Sequence, residues 1–233
     1  MEALRVLLVI TTLLTFSINT VLADELRPDK DKKCQNDVME TGFRLLNANN
    51  YKKRMTFYYI PENKVKTKIN IKQKRIYIYK GVFPFIEDAN ELAAVMSLDM
   101  ARLMDQQAGF FRKFSISFSP RKYEVKADKK AVDLMVKAGY NPVALINLIN
   151  KTAKEPSWFE YNIFHHKGSE RTAYIYHYIY EKYPVFIAQN EYLKSAYYQN
   201  FLRTSKKDRK KSKLIQQERI KLQESDHEQT EKI

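Results

Sequence analysis

The stretch Asn90-Glu91-Leu92-Ala93-Ala94-Val95-Met96-Ser97-Leu98-Asp99-Met100-Ala101-Arg102 decides how this chain is read. Asp88 or Asn90 can cap a helix there. From Glu91 to about Gln107, Leu92, Val95, Met96, Asp99 and Leu103 recur at helical spacing, and Gly109 follows as a stop. Working outward, Phe110 to Phe118 is aromatic and basic and reads as a strand or ordered loop closed by Pro120. Tyr123 to Ala138 predicts a second helix ending at Gly139, and Asn141-Pro142 opens a third that runs through Leu148. Upstream, Met55 to Ile60 suits a strand stopped by Pro61. Thr67 to Tyr79 alternates around Lys72-Gln73-Lys74 and predicts a β-hairpin with one buried face. No glycine or asparagine sits in that central turn, so its type is not readable.

Toward the ends, Val38 to Ala48 fits a short helix behind a polar lead-in. Tyr174, Tyr176, Tyr178 and Tyr180 alternate as in a strand, yet a helix after Ser169-Glu170-Arg171 is equally compatible. Glu191 to Leu222 predicts one long helix containing a basic cluster. The expected fold class is α+β: mostly helical, with a small antiparallel sheet and a long C-terminal helix. The chain divides into 1–23, a targeting segment; 24–37, a flexible lead-in; 38–190, the folded domain; and 191–233, a basic helix and tail. No internal repeat is visible.

The composition narrows the classes. With 233 residues, 44% of them apolar, the chain can bury one sizeable core. Only five glycines argue against a loop-built β-sandwich or a Rossmann-type phosphate site. A net charge of +14 favours anionic surfaces or acidic partners and says nothing about fold. Met1 to Arg5, the apolar Val6 to Ile18 and Val21-Leu22-Ala23 before Asp24 have the pattern of a cleaved secretory signal. The expected location is therefore periplasmic or secreted, with an uncleaved N-terminal membrane anchor as the alternative. Cys34 is the single cysteine and excludes an internal disulfide.

The Asn90–Arg102 stretch resembles the metal-binding helix of the HtpX-like (HtpX/BepA-like) zinc metallopeptidases of the zincin fold, in which an ELAAV-type run leads into His-Glu-x-x-His. Arg75 to Val82 resembles the strand and step before that helix. Glu124-Val125-Lys126-Ala127-Asp128, with Leu134 to Pro142, is similar to the second metal helix and its turn. His165, six residues before Arg171, has the spacing of the family's His-Pro…Arg segment. The collinear matches span about Phe43 to Tyr183. The resemblance implies a zincin-like domain related to protein quality control, with zinc as the family's cofactor and polypeptides as substrates.

The departures carry the functional expectation. Two imidazoles at i and i+4 hold zinc and the glutamate between them activates water. Leu98 stands at the first histidine, Asp99 at the base and Arg102 at the second histidine. Leucine has no lone pair and arginine stays protonated. Arg102 would also repel a divalent ion by ~4 kcal/mol per unit-charge pair at ~4 Å and an effective dielectric of ~20. By resemblance, Glu124 matches the third ligand and Asp128 the acid that orients a ligand histidine, while His165 and Arg171 fall at the cleft. The expectation is no zinc, no catalytic residues, and Arg102 at the old metal position paired with Glu124, with Asp99 or Asp128 as further partners. Binding of a polypeptide or protein partner along the former cleft, between the Ile76 strand and the Leu98 helix, would be retained. A rearranged metal site built from Asp99, Glu124, His165 and His166 is one alternative. Another is a polyanion or anionic-membrane surface formed by Lys206, Lys207, Arg209, Lys210, Lys211 and Lys213. No aromatic residues interleave with that cluster, so no specific nucleic acid is expected there.

Overall fold

The computed structural model describes residues 30–106, 120–152, 168–215 and 217–218. The segment 1–23 expected to be a targeting signal, Phe110 to Phe118, His165 and His166 lie outside those residues. The elements are α1 (Lys30–Ala48), β1 (Thr56–Ile60), β2 (Thr67–Asn70), β3 (Arg75–Tyr79), a 3-10 turn (Lys80–Phe85), α2 (Ala89–Gln106), α3 (Pro120–Lys137), α4 (Val143–Thr152), α5 (Gly168–Lys182), α6 (Pro184–Ala188), a second 3-10 turn (Glu191–Lys194), α7 (Ala196–Thr204) and α8 (residues 206–215). The class is α+β, mostly helical with one three-stranded sheet.

Helix α2 is the axis of the domain. Every residue from Glu91 to Ala101 is buried, as expected of a helix covered on all sides rather than along one stripe. Helices α1, α3 and α4 and the sheet pack around it. Its start is fixed by Asp88, whose carboxylate accepts the Glu91 amide at 2.8 Å, while the Glu91 carboxylate accepts the Glu87 amide at 2.8 Å. These two contacts satisfy donors that a helix N-terminus leaves open. Asn90 instead reaches across to the Asn141 amide at 2.9 Å.

Helix α3 ends as its glycine predicts. Gly139 has φ +72°, the Tyr140 amide reaches the Met135 carbonyl at 2.9 Å and the Gly139 amide reaches Val136 at 3.0 Å. That pair of bonds closes a left-handed C-terminal cap. Asn50, at φ 48°, closes α1 in the same way through Tyr51 and Leu46.

The sheet differs from a purely antiparallel one. Its order is β1-β3-β2, with β2 antiparallel and β1 parallel to β3. The 67–79 hairpin leaves one outer edge on β2 and one on β3, and β1 joins that of β3. Ile76 and Ile78 on β3 are completely buried. The hairpin turn is set by Asn70, just ahead of the segment considered central, whose side-chain oxygen accepts the Gln73 amide at 3.0 Å. Lys74 takes a positive φ of 55° there.

Two further expectations change and one open choice is decided. Helix α1 begins at Lys30, so the second half of the proposed lead-in is helical. The alternating tyrosines lie on helix α5: Tyr174 and Tyr178 face α3, Tyr176 meets Phe201, and Tyr180 is exposed. The long C-terminal helix is broken twice. At Ser195, the hydroxyl donates to Asn147 at 2.7 Å, close to where the Tyr192 hydroxyl donates to Asp88 at 2.6 Å. At Ser205, fully buried, the hydroxyl turns back to the Phe201 carbonyl at 2.6 Å. These ties hold the C-terminal segments on the domain instead of letting one rod project from it.

Candidate functional site

Leu98 faces the core and is 1% exposed, so the position of the first family histidine is a packing residue. Asp99, beside it, is also buried. Burial pushes its carboxyl pKa up, against the opposing pull of Arg102 and a hydrogen bond from Thr67 on β2. The Arg102 guanidinium lies 3.5 Å from the Asp99 carboxylate, an i,i+3 pair on one face of α2.

Of the partners expected for Arg102, Asp99 is thus in reach, and a second arginine serves the acids of α3. Glu124 and Asp128 are one turn apart on α3, and the guanidinium that meets both comes from Arg171 on α5. Arg171 donates from Nε to Asp128 Oδ2 at 2.9 Å and from Nη2 to Asp128 Oδ1 at 2.7 Å. Its Nη1 lies 3.4 Å from Glu124 Oε1. The two parallel bonds to Asp128 use the planar fork that lysine lacks. Tyr174, three residues along α5, donates its hydroxyl to Asp128 as well. Arg171 is 4% exposed and Asp128 not at all. Burial opposes the Arg171 cation, but Asp128 more than offsets this by charge and hydrogen bonding, and its pKa is raised. Burial, then the Asp128 charge, pushes the Tyr174 phenol well above its usual value.

The fold dictates this choice. Arg171, Ile175 and Ile179 fall on one stripe of α5 and are all buried against the domain, which aims Arg171 inward at α3. Arg102 sits near the end of α2, where its side chain keeps 19% exposure and turns back along its own helix. An arginine in phase with an apolar stripe was the readable signal for a buried counter-ion.

These residues do not fit a divalent metal. Leu98 offers no donor, and the Glu124–Asp128 pair already faces a guanidinium that would repel a second cation. Among the described residues, no group of three or more His, Cys, Asp or Glu side chains is placed to hold a metal ion. His165 and His166, the remaining partners of the alternative site, lie outside those residues.

The cleft also differs in its edge. The Ile76 strand is central and paired on both sides, so an extended peptide has no open edge on β3. Thr67 on β2, in the same register row as buried Ile78, meets Asp99 of α2 from the core-facing side of the sheet. Sequence reasoning missed a second buried ionic cluster. Lys151 on α4 contacts Glu91 at 2.8 and 2.9 Å and Glu87 at 2.9 Å, and Asn147 donates to Glu91 at 2.7 Å. It ties the start of α2 to α4 and has the character of a structural staple.

The basic cluster on α8 divides in two. Lys206, Lys207, Lys210, Lys211 and Lys213 are exposed. Arg209 points the other way, over the rings of Tyr176 and Phe201 at 5.4 and 5.3 Å. It donates to the Leu202 carbonyl at 2.8 Å and the Ser205 hydroxyl at 3.2 Å, and its own carbonyl is met by His177 at 2.6 Å. Arg209 therefore docks the helix rather than joining a polyanion-facing surface. No helix among the described residues is long and apolar enough to cross a membrane. In comparison with known proteins, the chain matches no protein-family model and no curated protein.

Proposed function

We propose that this chain is an exported, peptidase-like protein related to the HtpX-like metallopeptidases, in which a structural ion cluster stands where the family holds zinc, and that it acts by binding a polypeptide or protein partner. The observation that supports this reading is the Arg171 fork on Asp128 and Glu124. A guanidinium between the two carboxylates that match the family's acidic positions supplies the positive charge zinc would bring, without any open coordination position for water. Water activation by a metal needs that position. Leu98 and the Asp99–Arg102 pair remove the other donors and the base. What such a scaffold retains is its shape, including β2 as an edge strand of the sheet, to which an extended segment would add main-chain hydrogen bonds.

Two measurements on the purified full chain test it. Elemental analysis after incubation with zinc is expected to give far less than one ion per chain. A fluorescein-labelled unfolded casein is expected to bind, read by anisotropy, without being cleaved. Stoichiometric zinc lost on Glu124→Ala, together with casein cleavage, would overturn the proposal. So would failure to bind any unfolded polypeptide.

A further inference from the structure

The outer face of the three-stranded sheet, away from α1 and α2, has no role in the reading above. Alternation decides which residues lie on it. Phe57, Ile76 and Ile69 share one register row and face the core. The next row, Tyr58, Tyr77 and Lys68, faces outward, followed on the same side by Ile60 and Tyr79. Tyr58 is 39% exposed and Lys68 is exposed. None of Tyr58, Tyr77, Tyr79 or Ile60 packs against the hydrophobic core.

The charge around this face is one-sided. Between Asn49 and Ile86 the chain carries ten lysines and arginines and a single acid, Glu62. Glu62 is itself engaged by Lys64 at 2.5 Å. The Thr56 amide bonds to the Lys74 carbonyl at 3.1 Å, which brings the exposed Lys52, Lys53 and Arg54 next to the hairpin turn with Lys72 and Lys74. Arg75 and Lys66 lie over the outward rings of Tyr58 and Tyr79, each at 5.4 Å. Cations held together on this scale repel one another and favour an anionic counterpart.

The ring geometry selects among anionic partners. Tyr58 and Tyr77 stack on each other with centroids 5.5 Å apart and planes 24° apart, and Arg75 covers Tyr58. The ring of Tyr58, the most exposed of these, is thus already engaged by Tyr77 and Arg75 rather than presented to a nucleobase. What the sheet presents outward is hydroxyl-tipped aromatic edges set among ammonium and guanidinium groups. An apolar body with a polar tip is the chemistry that settles at a lipid headgroup layer, and lysines and arginines beside it meet lipid phosphates. We propose that the outer face of the β1-β3-β2 sheet docks peripherally on an anionic lipid bilayer, through Tyr58, Tyr77 and Tyr79 and the cations Lys66, Lys68 and Arg75.

This inference is independent of the proposed function, because it uses none of the residues of the ion cluster. The test is co-sedimentation of the full chain with vesicles of phosphatidylcholine alone or of phosphatidylcholine with phosphatidylglycerol. Binding is expected only to the anionic vesicles, and it should fall steeply when salt is raised from ~0.1 M, where the screening length is ~10 Å. Each cation near the surface contributes about fivefold in affinity, so Lys66→Gln/Lys68→Gln/Arg75→Gln should weaken binding by about a hundredfold. Lys68→Gln alone, at an exposed position, should weaken it about fivefold and guards against misfolding of the triple variant. Lys206→Gln/Lys207→Gln/Lys210→Gln/Lys211→Gln on α8 should leave most of the binding intact. The inference is overturned by absence of binding to anionic vesicles. It is equally overturned if binding survives the sheet variants and is lost in the α8 variant, or if a single-stranded oligonucleotide binds in a Tyr58-dependent way while vesicles do not.

Discussion

Replacing Arg171 with alanine should remove the guanidinium that faces two buried carboxylates. Asp128 would lose both arms of the fork, at 2.9 and 2.7 Å, and Glu124 would lose its neighbour at 3.4 Å. Tyr174 would still donate to Asp128, but a phenol supplies a hydrogen bond and no charge. Breaking a buried ion pair from one side costs about 3–5 kcal/mol, because the remaining charge is left without compensation. Whole-domain stabilities run to about 5–15 kcal/mol, so this is a large fraction of the total. At a urea slope of about 2.5 kcal/mol per molar, the unfolding midpoint should drop by about 1.5 M. The control is Arg102→Ala. Arg102 is partly exposed, its contact with Asp99 is a longer 3.5 Å, and Asp99 is already pushed toward its neutral form by burial, so a loss of about 1–2 kcal/mol is expected. A third variant, Arg171→Ala with Glu124→Gln and Asp128→Asn, removes the stranded charges and should recover part of the loss. If Arg171→Ala costs less than about 1 kcal/mol, or less than Arg102→Ala, the cluster is not the electrostatic centre of the site.

Other consequences can be measured in parallel. Asp99 has its pKa raised by burial, so the folded state holds its proton more tightly than the unfolded chain does. Its stabilising contribution is therefore complete below the ordinary carboxylate value of 3.8 and is lost as pH rises through the folded pKa. The urea midpoint of Asp99→Asn relative to the parent should accordingly increase between pH 4 and pH 7, and an unchanged difference would remove the argument. Gly81→Ala should destabilise the domain by about 1–3 kcal/mol, since a Cβ there would lie 2.5 Å from the Lys64 backbone; thermal melting reads this directly. Arg209→Ala should free α8 and speed tryptic cleavage among Lys206 to Lys213, whereas Lys210→Ala, at an exposed position, should leave the rest of that segment as protected as in the parent.

Much of the fold was legible because it rests on local chemistry. The apolar run of α2, its Asp88 cap, the glycine stop at Gly139 and the alternation of the 67–79 hairpin each act over a few residues, and each is written in neighbouring positions. That Leu98 and Arg102 cannot donate to a metal was equally plain, since a side chain without an available lone pair is excluded by its identity alone. The alternating tyrosines show where such reading stops. Spacing of two fits a strand face, but Arg171, Ile175 and Ile179 at spacing of four turned out to be the buried set, and burial overrides pattern.

The remaining features depend on which elements meet. Two arginines were available for Glu124 and Asp128, and the placing of Arg171 against both is made by the packing of α5 against α3. Local sequence does not encode that contact. The parallel pairing that buries β3 between two neighbours has the same origin, because β1 joins one of the two edges the hairpin leaves. The break at Ser205 and the inward turn of Arg209 follow from docking on Tyr176 and Phe201, far away in sequence. Side-chain identity, read from the sequence, excluded metal donors at Leu98 and Arg102; the pairing of Arg171 with Asp128 and Glu124, which needs two packed helices, was decided only in the tertiary structure.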